Sequence, residues 1–226
     1  MSTLLTNLIS YWKLDEASGN AVDSAGSNTG VNTGVTYGAG KINNCGDWGT
    51  ATNSRNLKYS GGTADTNWSI NAWAYVEGGG LIHSQSESGS FLYKALYIIG
   101  TQIGVDWSIG ASNYSLIHST TISVGWHMAT VTYNESTLTF SLYLNGTFVT
   151  SGTSLSTPST RTGDTVIGSF AHNLTANQGF KGKSDEIGSW DKALTASEVT
   201  ELYNGGAGLS YPFTSTANTG AFFAFF

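Results

Sequence analysis

The sequence predicts an all-β fold of two stacked antiparallel sheets, and three observations lead there. Charged residues make up only 11% of the chain, whereas Gly (29 residues) and aromatics (12%) are abundant, a composition suited to strands joined by turns. Apolar alternation recurs in short runs broken by Gly, Asn and Ser. Helical spacing occurs in one segment only, near the C-terminus. The 226 residues suit one large domain, which can bury roughly 70% of its unfolded surface.

"LISYWKL" (8–14) opens the pattern, setting Leu8, Trp12 and Leu14 against Ile9 and Tyr11. A turn-rich stretch, "DEASGNAVDSAGSNTG", follows. "WSINAWAYV" (68–76) puts Trp68, Ile70, Ala72, Ala74 and Val76 on one face, with Trp73 and Tyr75 on the other. Both faces are apolar, so this strand is expected to be central and covered on both sides. "GLIHS" (80–84), "FLYKALYII" (91–99) and "QIGVDWSIG" (102–110) read as a meander, then come "WHMATVTYN" (126–134) and "TLTFSLYLNGTFVTSGT" (137–153). Asn145-Gly146 between alternating runs predicts a type I′ hairpin. "DTVIGSF" (164–170) and "KSDEIGSW" (183–190) complete about ten to twelve strands. In "ALTASEVTELYNGG", Thr195 and Glu198 form a capping box, Val199 and Leu202 keep helical spacing, and Gly205 supplies the stop. The domain is expected over 1–213, followed by a polar spacer and Phe-rich tail over 214–226.

Nine Lys plus Arg against fifteen Asp plus Glu give a net charge of −6, and no basic run could follow a phosphate backbone, so nucleic acid is not an expected partner. Cys45 is the one cysteine, which excludes an intrachain disulfide and fits a buried structural thiol. The start "MSTLLTNLISYWKLDE" lacks a basic n-region and a long apolar core, and no run reaches the length of a membrane span. No classical signal peptide is expected.

In order and at the expected separations, "LISYWKLDE" with "AVDSAGSNTG", "SINAWAYV", "GWHMATVTYN", "LYLNGTFV" and "GKSDEIGSWDKALTASEVTELYNGG" resemble the laminin G-like, concanavalin A-like lectin/glucanase superfamily. The variety is the one common in bacterial surface and phage proteins, and with no classical signal peptide the resemblance implies a virion component assembled in the cytoplasm, or a cell surface. The resemblance covers residues 8 to 206 and implies a two-sheet jelly roll, often with a structural calcium ion, that binds glycans or other surfaces.

Alternation along 184–190 predicts that Asp185 and Ile187 share the inward face while Glu186, Gly188 and Trp190 face the other way. An inward carboxylate needs a cation or several donors, because an unpaired one is costly to desolvate. Calcium takes six to eight hard oxygens, carboxylates and carbonyls among them. The resemblance implies that Asp185 ligates calcium, with oxygens from around Asp15 and from the loop near Asn43. The alternative is an Asp185 that accepts backbone N–H bonds, with no metal. Asp23 in "VDSAGSNTG" suits an Asx-turn, and His127 in "GWHMATV" is expected to be a packed core histidine.

Catalysis is tested by elimination. The family's glucanases place two carboxylates on one strand face as Glu-x-Asp-x-x-Glu, and no Glu here is followed by Asp two positions on. Asp185 and Glu186, as strand neighbours, should diverge. The alginate-lyase set of Arg, Gln-x-His and Tyr is missing, since no Gln-x-His occurs and Arg55 and Arg161 sit in loop-like sequence. Nor is there a Gly-x-Ser-x-Gly elbow or a His-Glu-x-x-His helix. An enzyme is not expected. Glycan binding needs exposed aromatic faces beside polar side chains. Trp107 and Tyr114, flanking "SIGASN", with Tyr93 and His83 from neighbouring strands, are the candidate patch; the alternative is that they are sandwich core. Phe222, Phe223, Phe225 and Phe226 of the tail suit a homo-oligomer or virion contact, or else a docked strand. The reading is a non-catalytic carbohydrate-binding or adhesion module, with a purely structural capsid or fibre protein as the alternative.

Overall fold

Fourteen strands and one α-helix form the described part of this computed structural model, residues 2–50, 55–62, 66–86, 93–159, 163–169 and 179–214. In chain order the strands are β1 Leu8–Trp12, β2 Val31–Thr33, β3 Thr36–Ala39, β4 Asn44–Gly49, β5 Asn56–Ser60, β6 Trp68–Ser86 and β7 Tyr93–Ile99. Then come β8 Gln102–Ile109, β9 Ser112–Ser119, β10 Gly125–Asn134, β11 Thr139–Leu144, β12 Thr147–Thr153, β13 Asp164–Ile167 and β14 Lys181–Trp190, before α1, Ala196–Tyr203. The expected tail contact at Phe222, Phe223, Phe225 and Phe226 lies outside the described residues.

Strand β6 organises the two sheets. Its first half pairs with β10 on one side and β14 on the other, and its second half pairs with β7 and β13. Sheet one therefore runs β12-β11-β10-β6-β14, with β14 flanked beyond by β1 and by the β4–β3 pair. Sheet two runs β9-β8-β7-β6-β13-β5-β2, and every pairing is antiparallel. The chain crosses between them at Gly79 and Gly80, whose φ angles are +72° and +140°. A Cβ on Gly79 would lie 2.1 Å from the Ile98 carbonyl oxygen, so only glycine permits the bend. Two runs that periodicity separates, 68–76 and 80–84, are thus one 19-residue strand.

The main core lies between the sheets and joins Trp12, Trp48, Trp68, Ile70, Val105, Trp107, Phe140 and Ile187, among others. A second cluster covers the outer face of sheet one, where Leu4, Tyr11, Trp73, Trp190, Val199, Leu202 and Phe213 meet. Helix α1 and the segment after it form this third layer. Trp73 stacks on Tyr203 at 5.6 Å and carries the Lys41 ammonium 4.5 Å above its ring, which is why 68–76 is apolar on both faces. The hairpin at Asn145-Gly146 has φ +52° and +75°, as a type I′ turn requires. The capping box of α1 is formed, and its left-handed stop falls on Asn204, one residue ahead of Gly205. The short strands β2 to β4 carry little alternation of their own, and pairing makes them strands, whereas β5 and β9 turn Leu57 with Tyr59 and Tyr114 with Leu116 towards the core.

Candidate functional site

The acid pair in β14 is reached first by its register. Asp185 pairs with Trp73, and the next paired residue along β14 is Gly188 with Asn71. Between them the strand bulges, with Glu186 at φ +49°, a left-handed conformation that a non-glycine residue adopts at a cost of about 1 kcal/mol. The bulge breaks the alternation. Ser184, opposite Ala74, faces the core, while Asp185, opposite Trp73, lies on the outer face of sheet one. Glu186 lies there too, beside Tyr11 and Ser210. The expectation that Asp185 faces inward and Glu186 outward, on opposite faces, is therefore corrected: both are fully buried on one side, beneath the 40–44 loop and the segment after α1.

The loop wraps closely around Asp185. Its Oδ2 accepts the N–H groups of Lys41 and Ile42 at 2.8 and 2.9 Å, and a Cβ on Gly40 would meet that oxygen at 2.7 Å. Asp15 holds the other end of the loop, accepting Asn44 N–H at 3.1 Å and the Asn43 side-chain amide at 3.3 Å. The backbone carbonyl of Asn43, which has φ +53°, accepts Gly40 N–H at 2.9 Å. Asp185, Asp15 and Asn43 are thus gathered at one loop, but the Asn43 side chain turns to Asp15.

Within the acid pair, Oδ1 of Asp185 and both oxygens of Glu186 are buried without a well-formed hydrogen bond; the Tyr11 hydroxyl beside Glu186 donates to the Leu209 carbonyl. Burial pushes Asp185 up to about 8, against the pull of the Ile42 and Lys41 N–H groups and with a further push from Glu186. Burial also lifts Glu186 to about 7, opposed by the hydroxyls of Ser210 and Tyr11 and reinforced by Asp15. Unpartnered carboxylate oxygens in an acid-rich pocket suit a hard cation. Among the described residues no three His, Cys, Asp or Glu side chains converge as metal ligands, so a cation here would draw most of its oxygens from carbonyls and water. Sequence reasoning assigned Glu186 no task because nothing in "SDEIGSW" marks the bulge.

The aromatic patch goes elsewhere. Trp107 and Tyr114 pair across β8 and β9, but they face the core. Trp107 stacks on Phe140 at 4.2 Å and on Tyr114 at 6.0 Å, and its indole N–H donates to Ser154 Oγ at 3.0 Å. His83 is fully buried; burial, with the positive charge of Lys94, holds it down to about 3 and therefore neutral. Tyr93 pairs with Ser86 through the backbone at the start of β7. Trp107 and His83 leave no ring face for a sugar, and Tyr114 is half-buried against Trp107. Inward alternation along β6 to β9 is the physical reason.

One further acid and one further histidine are structural. Asp23 accepts the N–H groups of Tyr11, Ala25, Gly26 and Asn28 at 2.9 to 3.1 Å, the turn role its sequence suggests. His127 is not packed in the core: half-buried, it contacts Ser123 O at 3.0 Å and the Asn145 amide at 3.1 Å, tying the entry of β10 to the hairpin.

The model of the concanavalin A-like lectin/glucanases superfamily matches residues 48–200. No curated protein matches the chain. Among solved structures, the botulinum neurotoxin type G receptor binding domain superposes with a TM-score of 0.68 at 20% identity, covering 89% of this chain and 52% of its own. A structure titled as showing that cell entry of botulinum neurotoxin type C depends on two ganglioside molecules gives 0.69 at 15%, covering 90% and 52%. The chain spans about half the length of these toxin structures. The Ruminococcus gnavus IT-sialidase CBM40 bound to alpha2,3 sialyllactose gives 0.55 at 13%, covering 61% and 83%. These likenesses describe a shared fold.

Proposed function

The chain belongs to the concanavalin A-like lectin/glucanase superfamily, and from that premise we propose that it is a non-catalytic carbohydrate-binding or adhesion module. One observation carries the reading: the two neighbouring carboxyls of β14, Asp185 and Glu186, are sealed beneath a loop and a terminal segment, with no exposed surface. Buried carboxyls without access cannot protonate a glycosidic oxygen or attack a sugar ring. The fold shared with a ganglioside-dependent toxin and a sialyllactose-bound module supports glycan binding as the role left to the surface. The setting we propose is a phage or microbial surface, following the variety of the family that the segment order resembles.

The reading includes a structural calcium at the Asp185 loop, supported by the unpartnered Asp185 Oδ1 and Glu186 oxygens. Bound there, the ion would neutralise the pair and clamp the 40–44 loop to β14. Native mass spectrometry with and without chelator tests it, and an unchanged mass and melting temperature would remove calcium from the reading. A glycan array combined with an assay of reducing-end release tests the function. Binding without release supports a lectin, release identifies an enzyme, and silence in both favours a purely structural protein.

A further inference from the structure

The outer face of sheet one holds a groove at its β10–β11 end, away from the acid pair. Register sets Thr132 opposite Ser141 and Asn134 opposite Thr139. Alternation then sends Val131, Tyr133, Phe140 and Leu142 into the core and leaves Thr132, Asn134, Thr139, Ser141 and Tyr143 on the opposite face. Residues 193–195, leading into α1, form the wall: Leu194 N–H donates at 2.8 Å to Ser69 Oγ, and Ser69 is the β6 partner of Thr132. The result is a groove of about 360 Å³, within the range of small-ligand clefts, which start at roughly 300 Å³.

Its lining defines the ligand. Among the described residues no charged side chain borders it, while hydroxyls and an amide do. Among the described residues, the hydroxyls of Thr132, Ser141 and Tyr143 neither bond within the protein nor lie sealed from solvent. Such groups donate and accept at once, as the neighbouring hydroxyls of a sugar do. Tyr143, which lines the groove, packs edge-on against its cross-strand partner Phe148 at 5.8 Å, and Phe148 is 52% exposed, an apolar surface beside Tyr143 that suits the C–H face of a ring. Lys192, on the approach to α1, is held by Glu198 at 2.6 Å and by the Thr3 carbonyl at 2.7 Å. Among the described residues an acidic sugar would find no free cation lining the groove, and an amine no carboxylate.

We propose that this groove is a subsite for a neutral saccharide, with Thr132, Ser141 and Tyr143 bonding ring hydroxyls and the Tyr143–Phe148 pair carrying the apolar face. The inference rests on the glycan-binding reading above. The test titrates the full chain with cellohexaose, xylohexaose, mannohexaose and laminarihexaose, and with sialyllactose and a galacturonic acid hexamer as acidic probes. Wild type should bind at least one neutral probe. The double substitution Thr132→Val with Ser141→Ala should weaken that binding tenfold or more, since each lost bond is worth about 1 kcal/mol. Ser141→Gln, which fills the groove, should do the same with the melting temperature unchanged, and Val31→Ala, on the other sheet, should have no effect. Neutral-probe binding that survives both groove variants overturns the groove and leaves the glycan reading standing. Binding confined to the acidic probes also overturns the neutral class. Silence of wild type towards every probe overturns both.

Discussion

Replacing Asp185 with Asn should stabilise the calcium-free protein at alkaline pH, although it removes a fully buried side chain's native chemistry. In the fold the carboxyl titrates near 8 rather than at its ordinary 3.8. Its neutral form is therefore favoured by folding, so the stability it permits is fully present below about pH 4 and is lost as pH rises through 8. At about 1.4 kcal/mol per pH unit, the loss is on the order of 5 kcal/mol by pH 8.5. The groups around it are Glu186, Tyr11 and Cys45, with Lys183 acting on the same thiol and Asp15 acting on Glu186. An Asn amide oxygen can still accept the Lys41 and Ile42 N–H groups, while its NH2 occupies the place of the unpartnered Oδ1, at a cost of roughly 1–3 kcal/mol. The variant should thus exceed wild type by roughly 2–4 kcal/mol at pH 8.5 and lose that lead by pH 4. Urea unfolding across this range in EDTA is the assay. A variant less stable than wild type at pH 8.5, or an offset that does not change with pH, refutes the reasoning. Repeating it in millimolar calcium should reverse the order, because only wild type offers the carboxylate.

Other outcomes are as specific. Trp107→Ala should cost about 3–5 kcal/mol in urea unfolding through the cavity it leaves, while glycan affinity per folded molecule stays unchanged, because the indole is buried against Phe140. Gly182→Ala should destabilise by more than about 2 kcal/mol, since φ is +132° and the new Cβ would lie 1.9 Å from the Tyr75 carbonyl oxygen; thermal melting reads the loss. Thr195→Ala removes the hydroxyl that caps Glu198 N–H at 3.3 Å and should cost about 1 kcal/mol. Glu198 itself is driven upward by burial, but Lys192, Thr3 and the Thr195 N–H outweigh that and hold it down to about 2. Its contribution is present above about pH 4 and is lost as pH falls towards 2, so an acid unfolding curve should shift to higher pH in Glu198→Gln.

Much of the fold was legible because strand and turn preferences act locally. Period-2 apolar runs located β1, both halves of β6 as separate runs, β7, β8, β10, β11, β12, β13 and β14, Asn145-Gly146 the β11–β12 turn, and Thr195 with Glu198 the helix start. Strands β2 to β4 escaped notice because short segments with few apolar residues gain their conformation from partners distant in sequence, and β5 and β9 because a few inward apolar residues among polar ones, with Ile117 pointing outward in β9, blur the period. The candidate site was legible in identity and wrong in geometry. Asp185 and Asp15 could be named, but a bulge at a left-handed Glu186 needs no sequence signature, so strand alternation misplaced both acids. Trp107 and His83 show the same limit, since an aromatic in a strand has equal claim to either face until the sheet it packs against is known.

The sequence by itself determined an antiparallel all-β chain with one capped helix, low charge and the superfamily's order of segments, because each of these depends on residues a few positions apart. Only the tertiary structure decided that β6 serves both sheets, that α1 and the terminal segment bury the acid pair, and that a row of hydroxyls on β10 and β11 faces the 193–195 wall. Those arrangements depend on register and on layers meeting across scores of residues, and a single bulge or a shift of one position exchanges buried for exposed.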